Sequence, residues 1–329
     1  MTEEFVENLY TDEIRSGFLV TSHRKKLWNV QIGLINEFAR ICKKHNLRWF
    51  AFYGTLLGAV RHKGFIPWDD DSDVIMFRPE YEKFKKIAAE EIQYPYFFDN
   101  WYEYHVETEE PLPEKLDPNY QYITAEELSK QNPLRWFTQW PSIRLRDSRT
   151  AFLEFPERKH INQGIFLDIF PFDPIPPFED KNAVVNFVTA CELMTATAAP
   201  NQIYNAKSQN VKFLLKDNIL QNFLKLPYRD RGRILEENLL KNFFESQYVG
   251  GLHNFCIVNR PRKYELRDFE DVVYLPFEKI EIPAPIGYER SLTAEYGDWH
   301  KLVYTHQHAK YWSADIPYTE WSEISWTRN

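Results

Sequence analysis

"YGTLLGAVRHKGFIPWDDDSDVIMF", Tyr53 to Phe77, sets Asp69, Asp70, Asp71 and Asp73 close together between a tryptophan and an apolar run. Carboxylates this close repel one another, and each needs water, a basic partner or a metal ion before it tolerates burial. "DVIMF" reads as a strand ended by Arg78 and Pro79, and strand side chains alternate between faces. An extended segment from Asp71 onward puts Asp71 and Asp73 on one face, Asp69 joins them if the extension begins early, and Asp70 is expected to face elsewhere. Carboxylates so spaced suit a hard divalent cation, Mg²⁺ or Mn²⁺.

Upstream, "WFAFY" is a short apolar strand that stops at Gly54, and "TLLGAV" opens a helix. Gly54 permits a tight strand-to-helix turn, and Thr55 with the free N–H groups of the helix start can receive a phosphate. Downstream, "GIFLDIFPFD" carries Asp168 inside an apolar run, where an acid is costly unless paired or metal-bound. A phosphate seat facing a metal seat is what phosphoryl transfer from a nucleotide requires. The plainer alternative is a solvated acidic turn, with Asp168 paired to an arginine.

The flanking chain has an α/β pattern. Leu27, Val30, Leu34, Phe38 and Ile41 recur at helical spacing between His23 and His45. "EYEKFKKIAAEE" is the helix after the acidic strand, and "WPSIRLRD" and "GIFLDIF" are further strands of one sheet. Asp99 to Asn132, with Pro111, Pro113 and Pro118, reads as a surface excursion. From Asp180 to Tyr248, "KNAVVNFVTACELM", "VKFLLKDNILQNFLKL" and "RGRILEENLLKNFF" each predict several helical turns. "DVVYLPFEKIEIPAP" predicts a strand pair, and "GYERSLTAEYGDW" a short helix with its stop. The expected division is an extension at 1–22, a catalytic core at 23–179, a helical subdomain at 180–250, and a return to the core with a tail at 251–329.

The 329 residues, 43% of them hydrophobic, suffice for a full core and more than one packing unit. No stretch is apolar for long enough to span a bilayer, and the first residues carry acids where a secretory signal carries bases. Cys42, Cys191 and Cys256 are odd in number and far apart, as expected of reduced thiols in a cytoplasmic protein. A net charge of −8 argues against broad nucleic-acid binding.

"YGTLLGAVRHKGFIPWDDDSDV" resembles the signature of the LicD family, bacterial phosphocholine transferases related to the fukutin group. "RLRDSRT" (144–150), "NQGIFLDIFPFD" (162–173) and "YGDW" (296–299) follow in the expected order. The resemblance implies a nucleotidyltransferase-like α/β fold, a mixed sheet flanked by helices, here with an additional helical region. It implies that Gly54 and Thr55 face phosphate, that Asp71 and Asp73 are paired metal ligands with Asp168 the third carboxylate, and that Asp69 is a further candidate ligand. It also implies CDP-choline as donor and a sugar hydroxyl of teichoic acid or another surface glycan as acceptor. With a lipid-linked acceptor, the enzyme is expected to be cytoplasmic and peripheral at the inner face of the membrane. The helices between Asp180 and Tyr248, with Phe213, Leu214, Leu215, Leu220, Phe223 and Leu224 near Lys212 and Lys216, offer a docking face, although packing on the sheet competes for those residues.

A nucleotide diphosphate needs more positive charge than one ion brings. Arg61, Arg144 and Arg146 are candidate phosphate contacts, the last two sharing a strand face; pairing with Asp147, Glu154 or Glu157 is the alternative. A quaternary ammonium is held by aromatic faces, and Trp68 is the first choice for a wall, before Trp136, Trp140 and Trp299. His300, His306 and His308 lack the partners of a zinc site, and His62 is a candidate phosphate contact. Asp168 is the candidate general base. The competing functions are transfer of ribitol or glycerol phosphate, nucleotidyl transfer, and non-catalytic glycan binding.

Overall fold

The computed structural model describes residues 11–101, 142–154, 162–177, 179–198, 212–256, 262–304 and 312–323. In chain order the elements are β1 (Glu13–Arg15), β2 (Phe18–Val20), α1 (Ser22–Lys44), β3 (Phe50–Ala51), α2 (Tyr53–His62), β4 (Asp73–Phe77), α3 (Arg78–Glu91), β5 (Tyr96–Asp99), β6 (Ile143–Asp147), β7 (Ala151–Phe152) and β8 (Ile165–Ile175). There follow α4 (Lys181–Ala198), α5 (Asp217–Leu224), α6 (Tyr228–Lys241), β9 (Tyr248–Gly250), α7 (Leu252–Cys256), β10 (Tyr264–Glu265), β11 (Val272–Phe277), β12 (Ile280–Pro285), α8 (Tyr288–Tyr296) and β13 (Trp312–Ser313). The chain divides into two compact units, one of 1–99, 143–170 and 268–329, the other of 100–142 and 171–267.

The first unit holds the order β3-β4-β8-β6-β5, mixed α/β as expected. β6 runs antiparallel to both neighbours, with Arg144 opposite Asp168 on β8 and Arg146 opposite Phe97 on β5. Thr21 starts α1 by accepting the Arg24 amide at 3.2 Å, and Lys43 and Lys44 favour its C-terminal end. The apolar stripe of α1 then buries Leu27, Leu34, Phe38 and Ile41. Phe38 meets Trp49 and Phe84 edge-on at 5.1 and 4.9 Å. Phe269 meets Phe50 and Phe77, each at 5.4 Å. Each such ring buried contributes about 1.5–3 kcal/mol, enough to set the layer spacing.

In the second unit the end of β8 pairs with β9, Asp173 opposite Gly250, and β9 with β10. Phe172 stacks on Tyr264 at 5.4 Å. The helices bury Leu220, Phe223 and Leu235, so two residues of the expected docking face are core, whereas Leu214 and Ile219 are exposed. The helix expected from Val211 covers Asp217–Leu224 alone within the described residues. Glu192 on α4 explains the difference: its carboxylate accepts the Leu214 and Leu215 amides at 2.6 and 2.8 Å and holds that segment out of the helix. Among the described residues, no helix is long and apolar enough to cross a membrane.

Candidate functional site

The strand-to-helix turn anticipated at Gly54 forms at Tyr53, whose φ of 45° is left-handed for a residue with a side chain. Its ring packs edge-on against Phe52 and Phe170 at 5.2 and 5.5 Å, which holds the backbone there. The first turn of α2 thereby faces the acidic loop. A Cβ on Gly54 would lie 2.7 Å from Asp69 Oδ2 and 3.8 Å from Asp73 Oδ2. Both carboxylates therefore approach the amino end of a helix, where backbone N–H groups favour anions.

Thr55 has a partner that the sequence did not reveal. Its Oγ1 accepts the Asp73 amide at 2.8 Å, in a position where Thr55 is 4% exposed. The loop backbone is held from α1, with Arg24 Nη1 donating to the Asp69 carbonyl at 2.7 Å and Gln31 Nε2 to the Asp70 carbonyl at 2.9 Å. Burial lowers the pKa of the Arg24 guanidinium, while the carboxylates of Asp70 and Asp69 work in the opposite direction. Neither α1 residue stood out in the sequence, because a helix of that composition reads as ordinary amphipathic packing.

Asp69, Asp70 and Asp71 each offer a carboxylate oxygen within 4.8 Å of the other two. Asp70, expected to face elsewhere, is in this group, because the chain is not yet extended: β4 begins only at Asp73. Asp168 lies on the neighbouring strand, and its amide donates to the Ser72 carbonyl at 3.0 Å. Its two oxygens are engaged by Arg144, Nε at 2.7 Å and Nη2 at 3.2 Å, and Arg144 Nη1 continues to Glu154 at 2.5 Å. Burial alone would favour neutral Arg144, but Asp168 and Glu154 outweigh it and raise its pKa.

The other candidates are placed as follows. Arg146, expected at the donor phosphates, is buried against Asp99 at 2.7 Å and the Gly164 carbonyl at 3.2 Å, so its charge serves the sheet. Arg61 donates to the carbonyls of Trp299 and Lys301, both at 3.0 Å, and to His62 Nε2 at 2.9 Å. It thus fastens the "YGDW" segment to α2. Trp68 is 3% exposed, its ring covered by Phe18, His62 and Tyr304. Trp299 is half-buried and stacks on His300 at 3.8 Å. Trp136, Trp140, Glu157, His306, His308 and the Pro111, Pro113 and Pro118 excursion lie outside the described residues.

Tyr296 was not singled out from the sequence. Desolvation around its hydroxyl, then Glu295, Asp73 and Asp69, raise the phenol well above its ordinary value, although the residue as a whole is 41% exposed; burial lowers the pKa of Arg61, and Tyr296 opposes that shift only in part. Tyr296, at the end of α8, therefore feels the charge of Asp73 and Asp69. "YGDW" is the available signal, and it points to Trp299 as an aromatic wall but gives no role to Tyr296.

The structure thus brings a helix start, an acidic loop and a carboxylate on the next strand into one region. Residues 46–112, which span most of these groups, match the family model LicD/FKTN/FKRP, nucleotidyltransferase domain. This stretch is thus similar to the LicD-family domain. Over 285 residues the chain is 28% identical to lipopolysaccharide cholinephosphotransferase LicD of Haemophilus influenzae, covering 83% of this chain and 89% of that protein. An uncharacterized protein of Rickettsia typhi is 37% identical over 57 residues, 17% of this chain and 18% of its own. An uncharacterized protein of Rickettsia prowazekii is 46% identical over 41 residues, 12% of this chain and 15% of its own. The stretch matched by the family model holds Gly54, Thr55 and the acidic loop, while Asp168 and Arg144 lie outside it.

Proposed function

We propose that the protein transfers phosphocholine from CDP-choline to a sugar hydroxyl of a surface glycan precursor, lipopolysaccharide or teichoic acid. One observation carries the reading: a chain aligned along 89% of a lipopolysaccharide cholinephosphotransferase sets Asp69 and Asp73 against the amino end of α2. Asp71 and Asp73, with Asp69, are the proposed holders of Mg²⁺ or Mn²⁺. Their oxygens are hard donors, and the close grouping of Asp69, Asp70 and Asp71 fits such an ion. When bound, the ion neutralises charge on the diphosphate oxygens.

The α2 amides and Thr55 orient the donor phosphates, and Arg61 fixes the neighbouring "YGDW" wall. The acceptor oxygen forms a bond to the phosphorus that carries choline. The bond from that phosphorus to the bridging oxygen breaks, and CMP leaves with the electron pair. Asp168, oriented by Arg144, takes the hydroxyl proton. A lipid-linked acceptor brings the enzyme to the inner membrane surface as a peripheral protein. Leu214 and Ile219 remain exposed on the helical unit beside Lys212 and Lys216 and are the residues through which it would dock.

The deciding experiment measures CMP release and acceptor mass with CDP-choline, CDP-ribitol and CDP-glycerol at equal concentration and fixed Mg²⁺. The cation–π attraction available to trimethylammonium alone is about 1–2 kcal/mol, roughly a five- to thirty-fold preference. A preference for either polyol donor assigns the enzyme to that phosphoalcohol. Absence of CMP from all three removes the cytidine donor from the proposal.

A further inference from the structure

The β11–β12 hairpin lies about two hundred residues beyond the acidic loop in sequence, yet its tip closes on the loop that feeds it. Phe277 is fully buried and meets Phe65 edge-on at 4.6 Å, and Phe65 stacks on Trp28 of α1 at 5.1 Å. Glu278 adopts a left-handed φ of 51° at the tip. Its amide donates to the Lys63 carbonyl at 2.8 Å, and its Oε1 accepts the Phe65 amide at 3.2 Å and Arg15 Nη1 at 2.6 Å. A side chain on Gly64 would collide with the Glu278 carboxylate, so glycine is what allows this approach. Lys279 adds a bond to Asn29 Oδ1 at 2.8 Å. One carboxylate thus ties the β1–β2 hairpin and the α2–β4 loop to the β11–β12 tip, four residues before Asp69.

We infer that Glu278 is a positioning residue for the acidic loop: by holding Lys63–Phe65 it sets where Trp68 to Asp71 can lie. The inference rests on reading that loop as the metal and donor seat. Two features distinguish the tip from ordinary packing. It binds backbone groups of the loop, which fix register, and it approaches from a hairpin that contributes no residue to the acidic group.

The test uses the full chain with Glu278→Ala, Glu278→Gln and Arg15→Met. Amide hydrogen exchange is read at Phe65 and Asp69–Asp71, Mn²⁺ affinity by calorimetry, and unfolding by thermal denaturation. The expected result for Glu278→Ala is about tenfold faster exchange at both places and about tenfold weaker Mn²⁺ binding. Glu278→Gln keeps an acceptor for the Phe65 amide and is expected to retain at least half of the wild-type protection there; it decides the matter if the alanine variant fails to fold. Exchange that changes at Phe65 while Asp69–Asp71 and Mn²⁺ affinity stay within twofold of wild type overturns the positioning role. If the wild type binds no Mn²⁺, the metal reading fails by itself. The exchange at Asp69–Asp71 then decides the role of Glu278: faster exchange in the variants supports it, and unchanged exchange overturns it.

Discussion

Replacing Thr55 by valine removes one oxygen and keeps the shape, so it separates two roles for that hydroxyl. Thr55 Oγ1 accepts the amide of Asp73 at 2.8 Å in a buried setting, and valine turns a methyl toward that N–H. A buried donor deprived of its acceptor costs about 1–3 kcal/mol. In a folding unit of this size, that is a fall in Tm of roughly 2–12 °C. The amide belongs to the first residue of β4, so the carboxylate moves with it. A shift on the order of 1 Å in a reacting group lowers turnover by about a hundredfold. Thr55→Ser restores the oxygen at the loss of one methyl, about 0.8 kcal/mol, and is expected to recover most of the activity. Thermal denaturation and CMP release at saturating donor are the assays. A valine variant with wild-type Tm and kcat, altered only in KM for donor, would show that the hydroxyl serves phosphate alone. Equal behaviour of serine and valine would refute the hydrogen-bond argument altogether.

Asp71→Asn and Asp73→Asn are each expected to lower turnover by about 10²–10³ with circular dichroism unchanged, since each removes charge from the reacting site. Full activity in both folded variants would refute the metal seat. Arg146→Met takes the guanidinium from buried Asp99 and is expected to cost about 3–5 kcal/mol in denaturant unfolding, with Arg146→Met/Asp99→Leu recovering most of it. A marginal effect of the single substitution would restore Arg146 as a ligand contact. His253 is fully buried, and burial lowers its pKa to about 3. The unfolded chain takes up that proton first, so the stability linked to this group is intact above the ordinary histidine range and is lost as pH falls toward 3. His253→Asn is expected to flatten this part of the stability–pH curve, and an unchanged slope would refute the assignment.

Much of the first unit was legible because its signals are local. The α1 stripe, the break at Gly54 and the Arg78–Pro79 stop of β4 each act within a few residues, and the structure places α1, α2, β4 and α3 at those positions. β5 and β9 were not anticipated. They are short and polar at one end, and their hydrogen bonds go to β6 and β8, whose positions the local sequence does not specify. The shortened α5 has the same origin. "VKFLLK" has apolar residues suited to a helix, but Glu192 offers its amides a better acceptor, and that residue lies about twenty positions upstream.

The candidate site divides along the same line. Composition and spacing single out Gly54, Thr55 and the aspartates as candidates, because crowded carboxylates after a glycine turn are conspicuous in one dimension. They were not enough to assign partners. Arg144 and Arg146 are two residues apart on one strand, yet Arg144 meets Asp168 and Arg146 meets Asp99, because β6 has β8 on one side and β5 on the other. Alternation gives the two arginines a common face, and neighbouring strands then give them different acids. The same reasoning covers Asp70: a strand rule was applied to a segment that is a loop until Asp73, so the side chain expected to turn away stays with Asp69 and Asp71. Arg24 and Gln31 on α1 hold the backbone of that loop. A charge pattern with this much self-repulsion keeps a fixed shape only when distant elements bind its carbonyls, and those elements are where its geometry is determined.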